Sequence, residues 1–131
     1  MKYRIGTWKD HSEIEDCINS TGYYGPVDVS LLDGTFIVAE DSDGQIVGCV
    51  WTFHFGRNSY IDFLSVRPDI QHSGLGVRLL AKMRALLKKR GVRFVRGCTI
   101  LNNLEMVRIW QAFGAKIHSP YAIGFVDLGA K

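Results

Sequence analysis

No apolar run in this 131-residue chain approaches the roughly 20 residues that span a bilayer. The opening MKYRIGTWKD lacks the apolar segment of a secretory leader. Neither a membrane partner nor export is expected. Cysteine is scarce: Cys17, Cys49 and Cys98 make an odd set with no metal-ligand spacing. They read as buried thiols of a reducing compartment, the cytoplasm by default, and no metal site is expected. Charge of one sign is also scarce. A net charge of +3 is too small to argue for nucleic acid as a partner. Internal repeats, linkers and low-complexity segments are missing too, so one domain over residues 1–131 is expected. The one glycine-bearing loop that precedes a helical pattern lacks the Gly-Lys-Ser/Thr of a Walker loop and the third glycine of a dinucleotide fingerprint.

What is there centres on Tyr60 to Arg90. The β-prone segment Tyr60 to Val66 meets Pro68, which cannot donate to a ladder and pushes Arg67 towards an extended shape. The loop Gln71-His72-Ser73-Gly74-Leu75-Gly76 follows. Leu79, Leu80, Met83, Leu86 and Leu87 then recur at steps of three and four, the period of an amphipathic helix. Strand, loop and helix in this order aim unpaired backbone N–H groups and the helix dipole at one point, where a pyrophosphate fits. Gly74 and Gly76 allow positive φ and close approach to an anion, and Ser73 is a candidate cap. Taken alone, the glycine pair fits a plain tight turn equally well. Arg78, one turn into the helix, is the cation best placed for a polyanionic ligand.

Around this unit the pattern predicts an edge strand over Lys2 to Thr7 and a helix from Ser12, with Glu15 closing a capping box. An irregular stretch with Tyr23 and Tyr24 follows, then a helical turn within Val27 to Leu32. Thr35 to Glu40 and Gln45 to Phe55 read as strands, which with the strand from Tyr60 form an antiparallel meander. Gly91 ends the long helix. Phe94 to Thr99 is then a strand parallel to the one before the loop. A helix opened by Asn103 carries Met106, Val107, Trp110 and Phe113, and Ala115 to His118 and Ile123 to Leu128 close the chain as strands. The expected class is α/β (mixed α+β): a mostly antiparallel mixed sheet of about six to seven strands with about four helices.

Several of these residues together resemble the signature of the GNAT superfamily of acyl-CoA-dependent N-acyltransferases. They are Val66 and Pro68, then Gln71, Gly74 and Gly76, and further on Asn103, an aromatic at 110 and Gly114. The resemblance spans Tyr60 to Gly114 and is weak before Thr35. It implies acetyl-CoA as the acyl donor and an amine, on a small molecule or a protein, as the acceptor; homodimerisation stays open. It also implies that Leu64, Ser65 and Val66 position the thioester, and that the amides of Gln71, His72, Ser73, Gly74, Leu75, Gly76 and Val77 hold the phosphates. Arg78 and Asn103 assist.

For the chemistry, Asp62 is the leading candidate base, with Tyr60 and His54 on predicted neighbouring strands. His54, in the apolar run WTFHF, also reads as an ordinary core or rim residue. The family's usual tyrosine, which protonates the departing sulfur, is replaced by Trp110, whose indole has no accessible acidity. Three readings stay open there. The thiolate leaves unaided, Tyr121 or Tyr60 substitutes, or the chain only binds an acyl-CoA.

Overall fold

A computed structural model describes residues 1–98, 104–114, 116–117 and 123–128. It contains one seven-stranded sheet in the order β1-β2-β3-β4-β5-β7-β6. The strands are β1 (Lys2–Ile5), β2 (Thr35–Glu40), β3 (Ile46–Phe55), β4 (Asn58–Val66), β5 (Phe94–Cys98), β6 (Lys116–Ile117) and β7 (Ile123–Asp127). Three α-helices accompany them: α1 (His11–Ser20), α2 (Leu75–Lys89) and α3 (Leu104–Ala112). The expected meander is present, since β2, β3 and β4 pair antiparallel. The β4–α2–β5 unit is parallel, as a strand–helix–strand crossover requires. Among the described residues, no helix is long and apolar enough to cross a membrane.

The two faces of the sheet hold separate cores. On one face α2 buries Leu75, Leu79, Leu80, Met83 and Leu87 against Val50, Ile61 and Leu64, and Trp110 of α3 and Phe113 just after it complete that cluster. On the other face α1 buries Ile14, Cys17 and Ile18 against Phe36, Val38 and Cys49. Cys17 and Cys49 are the buried thiols expected; each Sγ lies 3.8 Å from a β4 carbonyl, of Ser65 and Phe63 respectively. The Cys98 side chain lies outside the described residues.

Two local expectations need correcting. Helix α1 begins at His11, after a 3-10 turn over Trp8–Asp10, so Ser12 and Glu15 form no capping box. Glu15 instead accepts the Val29 N–H at 2.7 Å, tying α1 to the loop below it. The turn expected within Val27 to Leu32 is a single 3-10 turn, Val29–Leu31, so the α-helices described number three rather than four. Asp28 favours that short turn by accepting the Ser30 N–H at 3.0 Å, a local bond that competes with a longer helix.

Candidate active site

The site is built on a defect in β4. Cys49 pairs with Ser65 and Trp51 with Asp62, so one β3 residue faces two on β4. The extra residue is Phe63, at φ +53, a conformation rare for a bulky side chain and worth about 1–3 kcal/mol of strain. Packing offsets it: the Phe63 ring sits 5.0 Å from Tyr24 and 5.7 Å from Trp51. The bulge lies just past the described pairing of β4 with β5. Pairing between the two runs from Asn58↔Phe94 to Ile61↔Gly97. Beyond it, residues 62–66 have no ladder partner on that side among the described residues. A strand edge without a ladder partner is a template for an extended ligand.

Below this edge, on the α2 face, lies a cavity of about 160 Å³. Leu64 and Val66 of β4 line one wall, Met106 and Ile109 of α3 another, and Gln71 to Val77 the mouth. The loop is held in place by its own bonds. After the 3-10 turn Pro68–Ile70, the Gln71 amide donates to the Val66 carbonyl at 3.1 Å. His72 takes φ +65 and its Nδ1 lies 3.1 Å from Glu105 Oε1 of α3.

Gly74, not Ser73, is the N-cap of α2, at φ +82, and no side chain caps the helix. The first-turn N–H groups therefore stay available to an outside acceptor. Arg78 folds back, Nη1 donating to the Ser73 carbonyl at 3.2 Å, which sets its charge beside the loop. A Cβ added at Gly76 would point between Ile109, Leu64 and Val66, into the cavity itself.

On the opposite face of β4 stand the candidate acid–base groups. Asp62 and Tyr60 lie two residues apart on β4, and His54 lies on the adjacent β3, as expected. Asp62 accepts the Phe63 N–H at 2.7 Å, so its carboxylate also satisfies the donor that the bulge freed. Burial pushes the Asp62 carboxyl above its ordinary value, and the bonds from Phe63 and the Tyr60 hydroxyl only partly oppose this. The neighbouring Tyr24 hydroxyl is pushed up by burial and then by the Asp62 charge, so it stays protonated and can donate. A carboxylate whose proton affinity is raised above its ordinary value is suited to general-base work.

The other candidates fall elsewhere. His54 sits at the far end of β3, on the α2 face, its Nε2 3.1 Å from Arg90 Nη1. Burial and then Arg90 lower its pKa, and it takes no part in the site. Ser65 is buried on the α1 face and donates to the Phe63 carbonyl at 3.2 Å, so it braces the bulge. Trp110 is buried in the core, edge-on to Phe113 at 5.8 Å, and is not among the residues lining the cavity. Its ring occupies the space that a Cβ at position 97 would need. A glycine inside a predicted strand, as in FVRGC, is the signal of such a close approach. Phe63 had no comparable signal. Asn103 and Tyr121 lie outside the described residues.

The model of the acetyltransferase (GNAT) family matches residues 4–115. An uncharacterised N-acetyltransferase of Schizosaccharomyces pombe is 30% identical over 109 residues, 82% of this chain; the chain spans 64% of that relative's length. A GNAT-family protein of Desulfovibrio desulfuricans shares the fold with a TM-score of 0.80 at 21% identity, covering 97% of this chain and 98% of its own. A Salmonella typhimurium protein solved with its cofactor acetyl-CoA aligns at TM-score 0.78 and 16% identity, over all of this chain and 95% of its own.

Proposed function

The chain belongs to the acetyltransferase (GNAT) family, and on that premise we propose that it transfers an acetyl group from acetyl-CoA to a primary amine by direct attack. The observation that carries the reading is the bulge at Phe63. It lies where the described β4–β5 pairing ends, between a cavity on one face and the Asp62 carboxylate on the other. Donor and acceptor can thus approach from opposite faces and meet at one gap, which supplies much of the advantage of orientation.

The residues present fit acetyl-CoA. The loop and the uncapped α2 terminus offer N–H groups and helix-dipole charge to its phosphates, with Arg78 adding a cation and Gly76 leaving room. The end of β4 can align an amide-bearing arm by strand-like hydrogen bonds, and an N–H there is a donor for a carbonyl oxygen as charge develops. Acetyl-CoA brings the activated thioester. Asp62 takes the proton from the incoming ammonium, and Tyr60 and Tyr24 orient that carboxylate and fill the space around it. The departing thiol has a pKa near that of cysteine, about 8.5, so it can leave as a thiolate without an acid from α3.

The second reading, a CoA-binding regulatory module without efficient catalysis, is favoured by one observation. Trp110 stands where the family usually carries a tyrosine, and it is a core residue here. Thiol release from acetyl-CoA across a panel of amines, read beside acetyl-CoA affinity by calorimetry, separates the two. Turnover above the no-amine background supports the transferase. Tight binding without turnover for any amine supports the module.

A further inference from the structure

The face of the sheet that bears Asp62 continues beyond α1 as a row of aromatic side chains. Register sets Trp51, Phe53 and Phe55 of β3 opposite Asp62, Tyr60 and Asn58 of β4. The rings of Trp51 and Phe53 lie 6.3 Å apart and 15° from parallel, and Phe53 and Phe55 lie 6.0 Å apart. The row is firm at its inner end, where Trp51 Nε1 donates to the Asp33 carbonyl at 2.9 Å. It is open at its outer end, with Phe53 40% and Phe55 48% exposed. One exposed phenylalanine on a sheet is ordinary; a contiguous row of rings that runs out from a candidate catalytic carboxylate is a candidate binding surface.

Charge sets the orientation of whatever lies there. Of the β4 and β5 residues that register places beside the row, Asp62 is the one acid and Arg96, level with Tyr60, is the one cation. A ligand with one positive nitrogen and an apolar body matches this surface in a single direction. Its nitrogen sits at Asp62 beside the open β4 edge, and its body lies along the rings. A polyamine matches poorly, because its further ammonium groups would be laid over hydrocarbon and towards Arg96.

Resting on the acetyl-transfer reading above, we propose that the acceptor is a monoamine on a large apolar body, an arylalkyl- or long alkylamine, seated along Trp51, Phe53 and Phe55. The row then acts in acceptor binding rather than in the chemical step, so its contribution is read in KM.

The test compares 2-phenylethylamine, ethylamine and spermidine as acceptors, following thiol release at saturating acetyl-CoA in wild type, Phe53→Ser and Phe55→Ser. Acetyl-CoA affinity is measured by calorimetry and assembly by sedimentation. The expected result is a kcat/KM for 2-phenylethylamine about tenfold or more above that for ethylamine, since each added methylene is worth about tenfold or more in an apolar site. Spermidine should be the poorest acceptor, and either serine variant should shrink the preference several-fold through KM. Equal use of ethylamine, a preference for spermidine, or a preference untouched in both variants would overturn the proposal while leaving acetyl transfer intact. A dimer that Phe53→Ser dissociates would overturn it too, by assigning the row to a second copy of the chain. Bound acetyl-CoA with no thiol release for any amine would defeat the transferase reading itself, and this proposal with it.

Discussion

Two carboxylates in this molecule, buried Asp10 and half-buried Asp62, accept a backbone N–H at the same 2.7 Å, and they end in opposite electrostatic states. Asp10, at the start of α1, takes the Thr7 N–H and a two-pronged contact from Arg4, with Nη1 and Nη2 each at 2.8 Å. Arg4 also bonds Glu40 through Nε, which locks the first strand to its neighbour. The Arg4 bond, which outweighs burial, pulls Asp10 down to about 2. Burial moves Asp62 up, and it has the Phe63 N–H and the Tyr60 hydroxyl to oppose that but no guanidinium such as Arg4 gives Asp10. A matched guanidinium makes a carboxylate a fastener; burial without one keeps it a base. The first corner holds the chain together, and the second is available for chemistry.

The largest effect is expected from breaking the second corner. Asp62→Asn keeps an oxygen that can accept the Phe63 N–H, so the bulge should survive while the base is lost. Turnover should fall by about 10²–10⁴-fold, with melting temperature and acetyl-CoA affinity nearly unchanged. Asp62→Ala removes both roles and should also lower the melting temperature. If Asn melts as low as Ala, the carboxylate is serving the fold through its charge.

Breaking the first corner should act on stability alone. Arg4→Met leaves Asp10 buried without its cation. Removing one partner of a buried pair costs about 3–5 kcal/mol, reduced here to about 2 kcal/mol because Arg4 keeps 30% of its side chain in water. Urea titration would show this as a lower midpoint with an unchanged slope. Turnover at a temperature where both proteins are folded should match wild type.

A third substitution tests a buried position with no titrating group. Trp110 fills the core against Gly97 and Phe113, so Trp110→Tyr should cost about 1–3 kcal/mol and should not raise turnover. A folded tyrosine variant with faster turnover would mean that the ring reaches the departing sulfur.

The smallest effects are in pH dependence, and the two acids should differ in sign. Asp10 is depressed, so its stabilisation is complete above its unfolded value near 3.8 and is lost as pH falls through about 2. Acid unfolding in wild type should carry this step, and Arg4→Met should lose it. Asp62 is raised, so it favours folding below 3.8 and that contribution fades as pH rises through its folded pKa. Over the same interval it becomes a competent base. The acid limb of kcat/KM should therefore lie above the usual carboxylate range and vanish in Asp62→Asn.

Much of the fold was legible because it depends on short-range patterns. Strand alternation marked the meander, the 3.6-residue period marked α2, and the strand–loop–helix order around Gly74 located the cavity mouth. Residue identity was enough there, since backbone N–H groups at a helix start need no particular partner to point outward. Finer assignments failed where a distant partner competes for a local group. Ser12 and Ser73 are good caps in isolation, yet a 3-10 turn precedes α1 and the left-handed Gly74 caps α2. Trp110 could be aligned with a tyrosine, but only packing shows that its ring belongs to Gly97.

By itself, the sequence determined the order of elements, the glycine-bearing loop ahead of α2 and the family, because the residues that mark them lie close along one chain. Tertiary structure decided the rest. Phe63 adopts positive φ only because Tyr24 and Trp51 hold its ring and Asp62 takes its N–H. Desolvation beside that bulge raises Asp62, and the aromatic row lies next to it because β3 and β4 pair in this register. Each of these depends on groups far apart in the chain meeting in one place, a condition no local pattern encodes.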